Sequence, residues 1–211
     1  MADPAANPRA LELSIETWVI VLVKEFGSAK QRLQPALSPA ARRELARRNA
    51  RLAITAASAG DHVLVVAGAN AVAQMAEAMG VEALREPSQE GQNMAARRGI
   101  RHAMDAGAQA VLVLSSDLPL VTSDAVAELL HEAAHYESPV AIAVPAVGRG
   151  GTNALYLRPP DAISLHFGDD SLAQFRDDAA ANGVRFAVHH SEAMALDLDE
   201  PSDLVRLRRA V

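Results

Sequence analysis

Short apolar runs alternate along the chain with longer stretches in which apolar positions recur every three or four residues. The runs are WVIVLV at 18–23, VLVVA at 63–67, VEAL at 81–84, VLVL at 111–114, PVAIAV at 139–144, ALYL at 154–157, VRFAV at 184–188 and AMAL at 193–196. Most lack the alternating polar position of a half-exposed strand, so they predict strands covered on both faces. The stretches between predict helices at 39–59, 70–79, 94–106, 122–136, 171–182 and 201–209. Their ends carry the matching signals: Ser38 and Pro39 start the first helix, Gly80 closes the second, and Asp169 or Asp170 stands before the fifth as a cap.

Strand and helix in alternation predict an α/β fold of three layers, α/β/α, with a mainly parallel sheet. One connection breaks the pattern. The glycine-rich turn at 147–153 is too short for a helical crossover, so at least one strand beside it runs antiparallel. Residues 1–15, with two prolines and no sustained period, read as a flexible N-terminal tail, and 16–211 as a single domain.

Composition narrows the classes. Half of the 211 residues are hydrophobic but only 3% are aromatic, so Ala, Val and Leu must build the core. A net charge of −6 argues against a nucleic-acid partner, which calls for a basic excess. There is no cysteine, which removes disulfides, thiolate metal sites and a cysteine nucleophile and leaves carboxylates and histidines as metal ligands. No apolar run approaches the roughly 20 residues of a membrane-spanning helix, and the first residues lack the basic-then-apolar order of a secretory signal. The expected location is cytoplasmic, with no membrane partner.

Charged residues then fall where a parallel sheet binds ligands, beyond the carboxyl ends of its strands. Lys24 follows the first run, with Lys30 and Arg32 in the loop behind it; Asp117 follows VLVLSS; Asp197 and Asp199 follow the last run. Acids from different strand ends beside cations suit a magnesium ion shared with phosphate oxygens. Taken singly, Asp117 is either a metal ligand or a turn cap, and Asp199 either a ligand or the cap of the final helix. The polar loop at 86–93, ending in Asn93 at a helix start, offers a place for an anion or a base edge. No GxxxxGK[ST] or GxGxxG occurs at a strand end. His131-Glu132-x-x-His135 matches the zinc-protease signature, yet all three project opposite the apolar face of Val126, Leu129, Leu130 and Ala133, toward solvent. His189 and His190 have no partner pattern, Ser115 and Ser116 read as strand-end packing, and the Arg43, Arg47, Arg51 stripe reads as a solvated face.

Between Val19 and Leu207 the landmarks follow in order: Val23-Lys24 with Ala29-Lys30-Gln31-Arg32-Leu33, Leu37-Ser38-Pro39, Asp117-Leu118-Pro119-Leu120, Gly151-Thr152-Asn153-Ala154-Leu155, Phe167-Gly168-Asp169-Asp170-Ser171, and Leu196-Asp197-Leu198-Asp199-Glu200-Pro201 with Asp203-Leu204. This series resembles the 2-phospho-L-lactate and phosphoenolpyruvate guanylyltransferases of coenzyme F-420 biosynthesis, within the MobA-like nucleotidyltransferases. The resemblance implies a Rossmann-like nucleotide-diphosphosugar transferase fold. It implies a reaction in which GTP and a small phosphorylated acid (2-phospho-L-lactate, phosphoenolpyruvate or 3-phosphoglycerate) give a guanylylated acid and pyrophosphate. It also implies that Thr152, Gly168 and Ser171 hold the acid and that Asp117, Asp197 and Asp199 hold Mg²⁺. Lys24, Lys30 and Arg32 are then expected to clamp the triphosphate, with Asn93 on the nucleotide side. Two departures lie in the triphosphate loop: Leu22 stands where the family often has proline, and Gln31 where serine is common. The competing readings are a MobA-like or sugar-phosphate nucleotidyltransferase with another acceptor, and a non-catalytic nucleotide-binding protein. Oligomeric state is open, a homodimer included.

Overall fold

A computed structural model describes residues 15–210 apart from 28 and 149; of the N-terminal tail expected at 1–15, all but Ile15, which packs against the core, lies outside the described residues. Seven strands form one sheet: β1 (Thr17–Val23), β2 (His62–Ala67), β3 (Glu82–Arg85), β4 (Ala110–Ser115), β5 (Val140–Pro145), β6 (Thr152–Arg158) and β7 (Arg185–Val188), in the spatial order β3-β2-β1-β4-β6-β5-β7. Every neighbouring pair is parallel except those of β6, which runs against both β4 and β5. The antiparallel element expected from the short glycine turn is therefore a single reversed strand.

β1 shows why unbroken apolar runs were needed. Val19, Val21 and Val23 pack into one core with α1 (Pro39–Ala57), α2 (Asn70–Ala78) and α4 (Ser123–Ala134), while Trp18, Ile20 and Leu22 pack into a second core with α3 (Gln92–Asp105) and α5 (Ser171–Ala181). Successive strand side chains point to opposite faces, so a strand covered on both faces has no polar position to spare. The low aromatic content is matched by close approach: a methyl at Gly99 of α3 would lie 2.6 Å from Ile20 Cγ2.

Helix starts follow the sequence in part. Ser38 Oγ accepts the Ala41 N–H with Pro39 in the first turn, as predicted. Asp170 does precede α5, but in the left-handed region (φ 53), and its side chain makes no capping bond. The final helix, α7 (Pro201–Ala210), is closed by Asp203, whose Oδ2 accepts the N–H groups of Asp199 and Glu200. The predicted strand at 193–196 is instead a helical turn, α6 (Glu192–Ala195). Glu, Ala and Met favour helix, and the carbonyls of Met194 and Ala195 are taken by the side chain of Asn153 rather than by a strand partner.

Strand order reverses between β1 and β4: β2 and β3 lie on one side of β1, and β4 begins the other. A crevice opens at the carboxyl ends there, and Lys24 and Asp117 follow the two strands that flank it.

Candidate active site

The crevice holds a cavity of about 350 Å³. Of the sequence-predicted residues it brings together Lys24, Lys30, Arg32, Asp117 and Asp199. They come from the loops after β1 and β4 and from the segment before α7.

Lys30 is the most constrained of these. It has left-handed backbone (φ 60), which costs a residue with a Cβ about 1 kcal/mol or more. Its side chain is 1% exposed, and its ammonium lies 2.7 Å from Asp117 Oδ1 while donating to the Leu198 carbonyl. A buried ammonium is tolerated only with such partners. The left-handed turn aims the side chain inward, and a single-turn 3-10 helix at Gln31–Leu33 follows it. Gln31, at the departure noted in the sequence, accepts a hydrogen bond from the buried Arg42 of α1 at 3.1 Å, which ties the cation loop to that helix.

Asp117 is set by its backbone. Its N–H donates to Ser115 Oγ at 3.4 Å, and its carbonyl accepts from the N–H of Leu198 at 3.1 Å. Ser115 therefore shapes the strand end, beyond mere packing. The Leu198 bond draws the segment 197–199 to Asp117, and Asp199 Oδ2 meets Arg32 Nη1 at 2.8 Å. Asp197 does not line the cavity. Among the described residues no group of three or more His, Asp or Glu side chains comes together as a ready metal cluster. Two carboxylates on one cavity nevertheless fit magnesium, an oxygen-seeking ion that takes one or two carboxylates and completes its shell from phosphate and water.

Thr152, Gly168 and Ser171 lie outside this cavity but beside it. Thr152 begins β6, two residues ahead of Ala154, which pairs with Leu114 near the end of β4. Ser171 Oγ donates to Thr152 Oγ1 at 3.0 Å, and both residues are buried. Gly168 adopts φ 137, which admits glycine, and its carbonyl accepts from Ser171 N–H. The structure thus brings these three residues together at the start of α5.

Asn93 has a structural engagement. Its amide donates to the Phe167 carbonyl at 3.1 Å and accepts from the Phe167 N–H at 2.8 Å, which bridges the start of α3 to the loop bearing Gly168. Asn153 was not singled out by sequence, yet it is the corresponding brace on the other side. From its buried position its Nδ2 donates to the carbonyls of Met194 at 2.8 Å and Ala195 at 3.0 Å. Glu86, Gln89 and Gln92 belong to the polar loop at 86–93 that the sequence offered for an anion or a base edge, and they line the cavity. Glu86 directly follows β3, and the strand-end position was the signal that could have found it.

The histidine motif lies elsewhere. His131 and His135 sit at the end of α4 remote from the loop that follows β4, and both are exposed, as expected. Glu132 corrects the expectation of a solvent-facing residue. It is half-buried, with Oε2 2.6 Å from His189 Nδ1 and Oε1 accepting from the Tyr136 hydroxyl at 3.2 Å. His189 therefore has a partner, from a helix 57 positions away.

With the cavity described, relatives place the chain. Residues 17–208 match the family model described as "Guanylyl transferase CofC like". The chain belongs to this family. A phosphoenolpyruvate guanylyltransferase of Rubrobacter xylanophilus is 39% identical over 195 residues, 92% of this chain and 94% of that one. A 2-phospho-L-lactate guanylyltransferase of Methanothermobacter thermautotrophicus is 34% identical, over 90% of this chain and 83% of that one. Among solved structures, a putative nucleotide-diphospho-sugar transferase from Desulfovibrio desulfuricans superposes with a TM-score of 0.71 at 21% identity, covering 92% of this chain and 87% of its own. That likeness bears on the fold alone, a mostly parallel sheet between layers of helices. Among the described residues no helix is long and apolar enough to cross a membrane.

Proposed function

We propose that this protein transfers GMP from GTP to a small phosphorylated carboxylic acid, phosphoenolpyruvate or a close analogue, and releases pyrophosphate. The observation that carries the reading is the cavity at the ends of β1 and β4, lined by Lys24 and by the paired charges Lys30–Asp117 and Arg32–Asp199, with room for a nucleotide. Family membership and the guanylyltransferase names of the relatives support the choice of guanylyl transfer.

The acceptor's own phosphate is the nucleophile. A phosphate monoester loses its second proton near pH 6, so at neutral pH no general base is required. Its oxygen attacks the α-phosphorus of GTP in line; a new P–O bond forms as the bond from the α-phosphorus to the bridging oxygen breaks, and the electron pair leaves with pyrophosphate. The barrier is repulsion between polyanions, so positioning and charge neutralisation dominate. Lys24 and Arg32 line the cavity from its open side and bind the β- and γ-phosphates. Lys30 is anchored between Asp117 and Leu198 and steadies the carboxylate. The Thr152 and Ser171 hydroxyls and the backbone at Gly168 receive the acid, at the start of α5, where amide groups favour an anion. Asp117 and Asp199, with Asp197 nearby in sequence, would hold Mg²⁺, which when bound neutralises phosphate charge as pyrophosphate departs.

The test is pyrophosphate release with magnesium and GTP, ATP, CTP or UTP, each paired with phosphoenolpyruvate, 2-phospho-L-lactate or 3-phosphoglycerate. Release with GTP and one of these acids is expected. Silence from every GTP pair, with the protein folded, sinks the reading.

A further inference from the structure

The cavity changes chemistry along its length. One end holds the cations and Asp117; the other is lined by Glu86, Gln89, Gly91, Gln92 and Ala95. Glu86 follows β3, and three inter-strand steps, β3 to β2 to β1 to β4, part it from the strand that carries Asp117. At about 4.8 Å per step that is about 14 Å. A nucleoside triphosphate whose α-phosphate lies near Asp117 must therefore carry its base toward Glu86, the direction in which the cavity extends.

Glu86 is built to receive donors. Its N–H donates to the Ala67 carbonyl at 3.0 Å, which fixes the residue against the end of β2. The side chain is 7% exposed yet lines the cavity. Arg98 approaches its Oε1 at a long 3.4 Å and spends its shorter 2.7 Å bond on Glu90. Burial outweighs the nearby Arg98 and pushes the Glu86 carboxyl above the usual carboxylate range. With Arg98 at this long distance and Lys24 acting only through its charge, the carboxylate keeps capacity to accept further donors from the cavity.

The nucleobases differ in what they can offer it. Guanine presents two adjacent donors, N1–H and the 2-amino group, spaced to meet the two oxygens of one carboxylate. Adenine and cytosine turn a ring-nitrogen lone pair to the same place, and uracil has one N–H between two carbonyls, so each sets acceptor against acceptor.

We propose that Glu86 selects guanine, its carboxylate accepting N1–H and the 2-amino group while Arg98 steadies it from behind. This rests on the guanylyl-transfer reading and names the residue that makes the nucleotide GTP.

The experiment compares GTP with ITP, which keeps N1–H and lacks the 2-amino group. Pyrophosphate release with phosphoenolpyruvate is measured for the wild-type protein, Glu86→Gln and Glu86→Asp, and displacement of a fluorescent N-methylanthraniloyl-GTP by GTP and ITP is measured in parallel. Wild type is expected to favour GTP about 10–100-fold, the scale of a hydrogen bond to a charged group. Glu86→Gln presents one acceptor and one donor, so its GTP:ITP ratio should fall at least tenfold, mainly by loss with GTP; Glu86→Asp should retain part of the preference. A wild-type ratio near one, or a Glu86→Gln ratio equal to wild type, overturns the proposal. Should Glu86→Gln fail to fold by circular dichroism, the Glu86→Asp and wild-type ratios decide alone. If no acid yields pyrophosphate, the transfer reading falls, and the displacement ratios still decide base selection.

Discussion

The ammonium of Lys30 lies 2.7 Å from Oδ1 of Asp117, and the two reach that contact from loops that leave the adjacent strands β1 and β4. The lysine is sealed in and the carboxylate is 44% exposed, so one partner faces protein and the other faces the cavity. Asp117→Asn should lower pyrophosphate release on the order of a thousandfold, several kcal/mol of transition-state stabilisation. The companion variant is Lys30→Gly, because φ 60 suits glycine and the backbone turn survives. It should fold, by circular dichroism, and turn over about 100-fold more slowly. Turnover within tenfold of wild type in Asp117→Asn would remove the carboxylate from the chemistry.

Asn153 makes a different prediction, since it touches neither proposed substrate. Its amide holds the carbonyls of Met194 and Ala195, ahead of the segment that carries Asp197 and Asp199. Asn153→Ala leaves these carbonyls without their side-chain donor, a cost of about 1–3 kcal/mol. The unfolding temperature should fall by roughly 3–10 °C for a chain of this size. Amide hydrogen exchange across residues 194–199 should quicken well before global unfolding, and turnover should drop with it. Unchanged exchange there would show that the segment is held by its other contacts.

Much of this was written locally. The central strands announced themselves because both faces of the sheet are covered there, and Ser38-Pro39 starts α1 by a rule that needs no distant residue. The strand ends then gave Lys24 and Asp117 as residues of the sheet's ligand-binding edge; that their strands lie side by side is a property of the strand order. What escaped notice depends on partners far along the chain. The two bonds of Asn93 go to a residue 74 positions away, and the Glu132 contact to His189 spans 57. The run at 193–196 misled because its apolar residues fit a strand as well as a helical turn, and the deciding group was the amide of Asn153, about 40 positions earlier. Glu86 was visible as a letter, but its burial beside the cavity follows from the order of strands, which no local pattern encodes.

Asp178 carries a pH prediction. The hydrogen bond from His166 Nε2, 2.9 Å from its Oδ2, holds its carboxyl below the usual range against some desolvation, and the Ser164 N–H adds a further donor at 2.8 Å. Because the folded value lies below the unfolded one, the native state binds fewer protons than the unfolded chain. Its stabilisation is therefore present above the ordinary aspartate value of about 3.9 and is lost as pH falls through the folded value. Thermal unfolding followed from pH 6 down to pH 3 should show wild type losing more stability than Asp178→Asn over the acid end of that range. Parallel curves would assign the acid sensitivity to other groups.

The reversed direction of β6 has a consequence for how such an enzyme changes its diet. Thr152 and Asn153 stand at the crevice because this strand enters the sheet there, whereas Lys24 and Asp117 stand there because theirs leave it. The turn at 147–151 leads into Thr152, and the Val147 N–H donates to the Ala195 carbonyl at 2.9 Å. On the function proposed above, lengthening or trimming it would re-aim the Thr152 hydroxyl while the strands that carry Lys24 and Asp117 keep their register. On that reading the fold separates what is donated from what receives it, so that one can drift while the other is held.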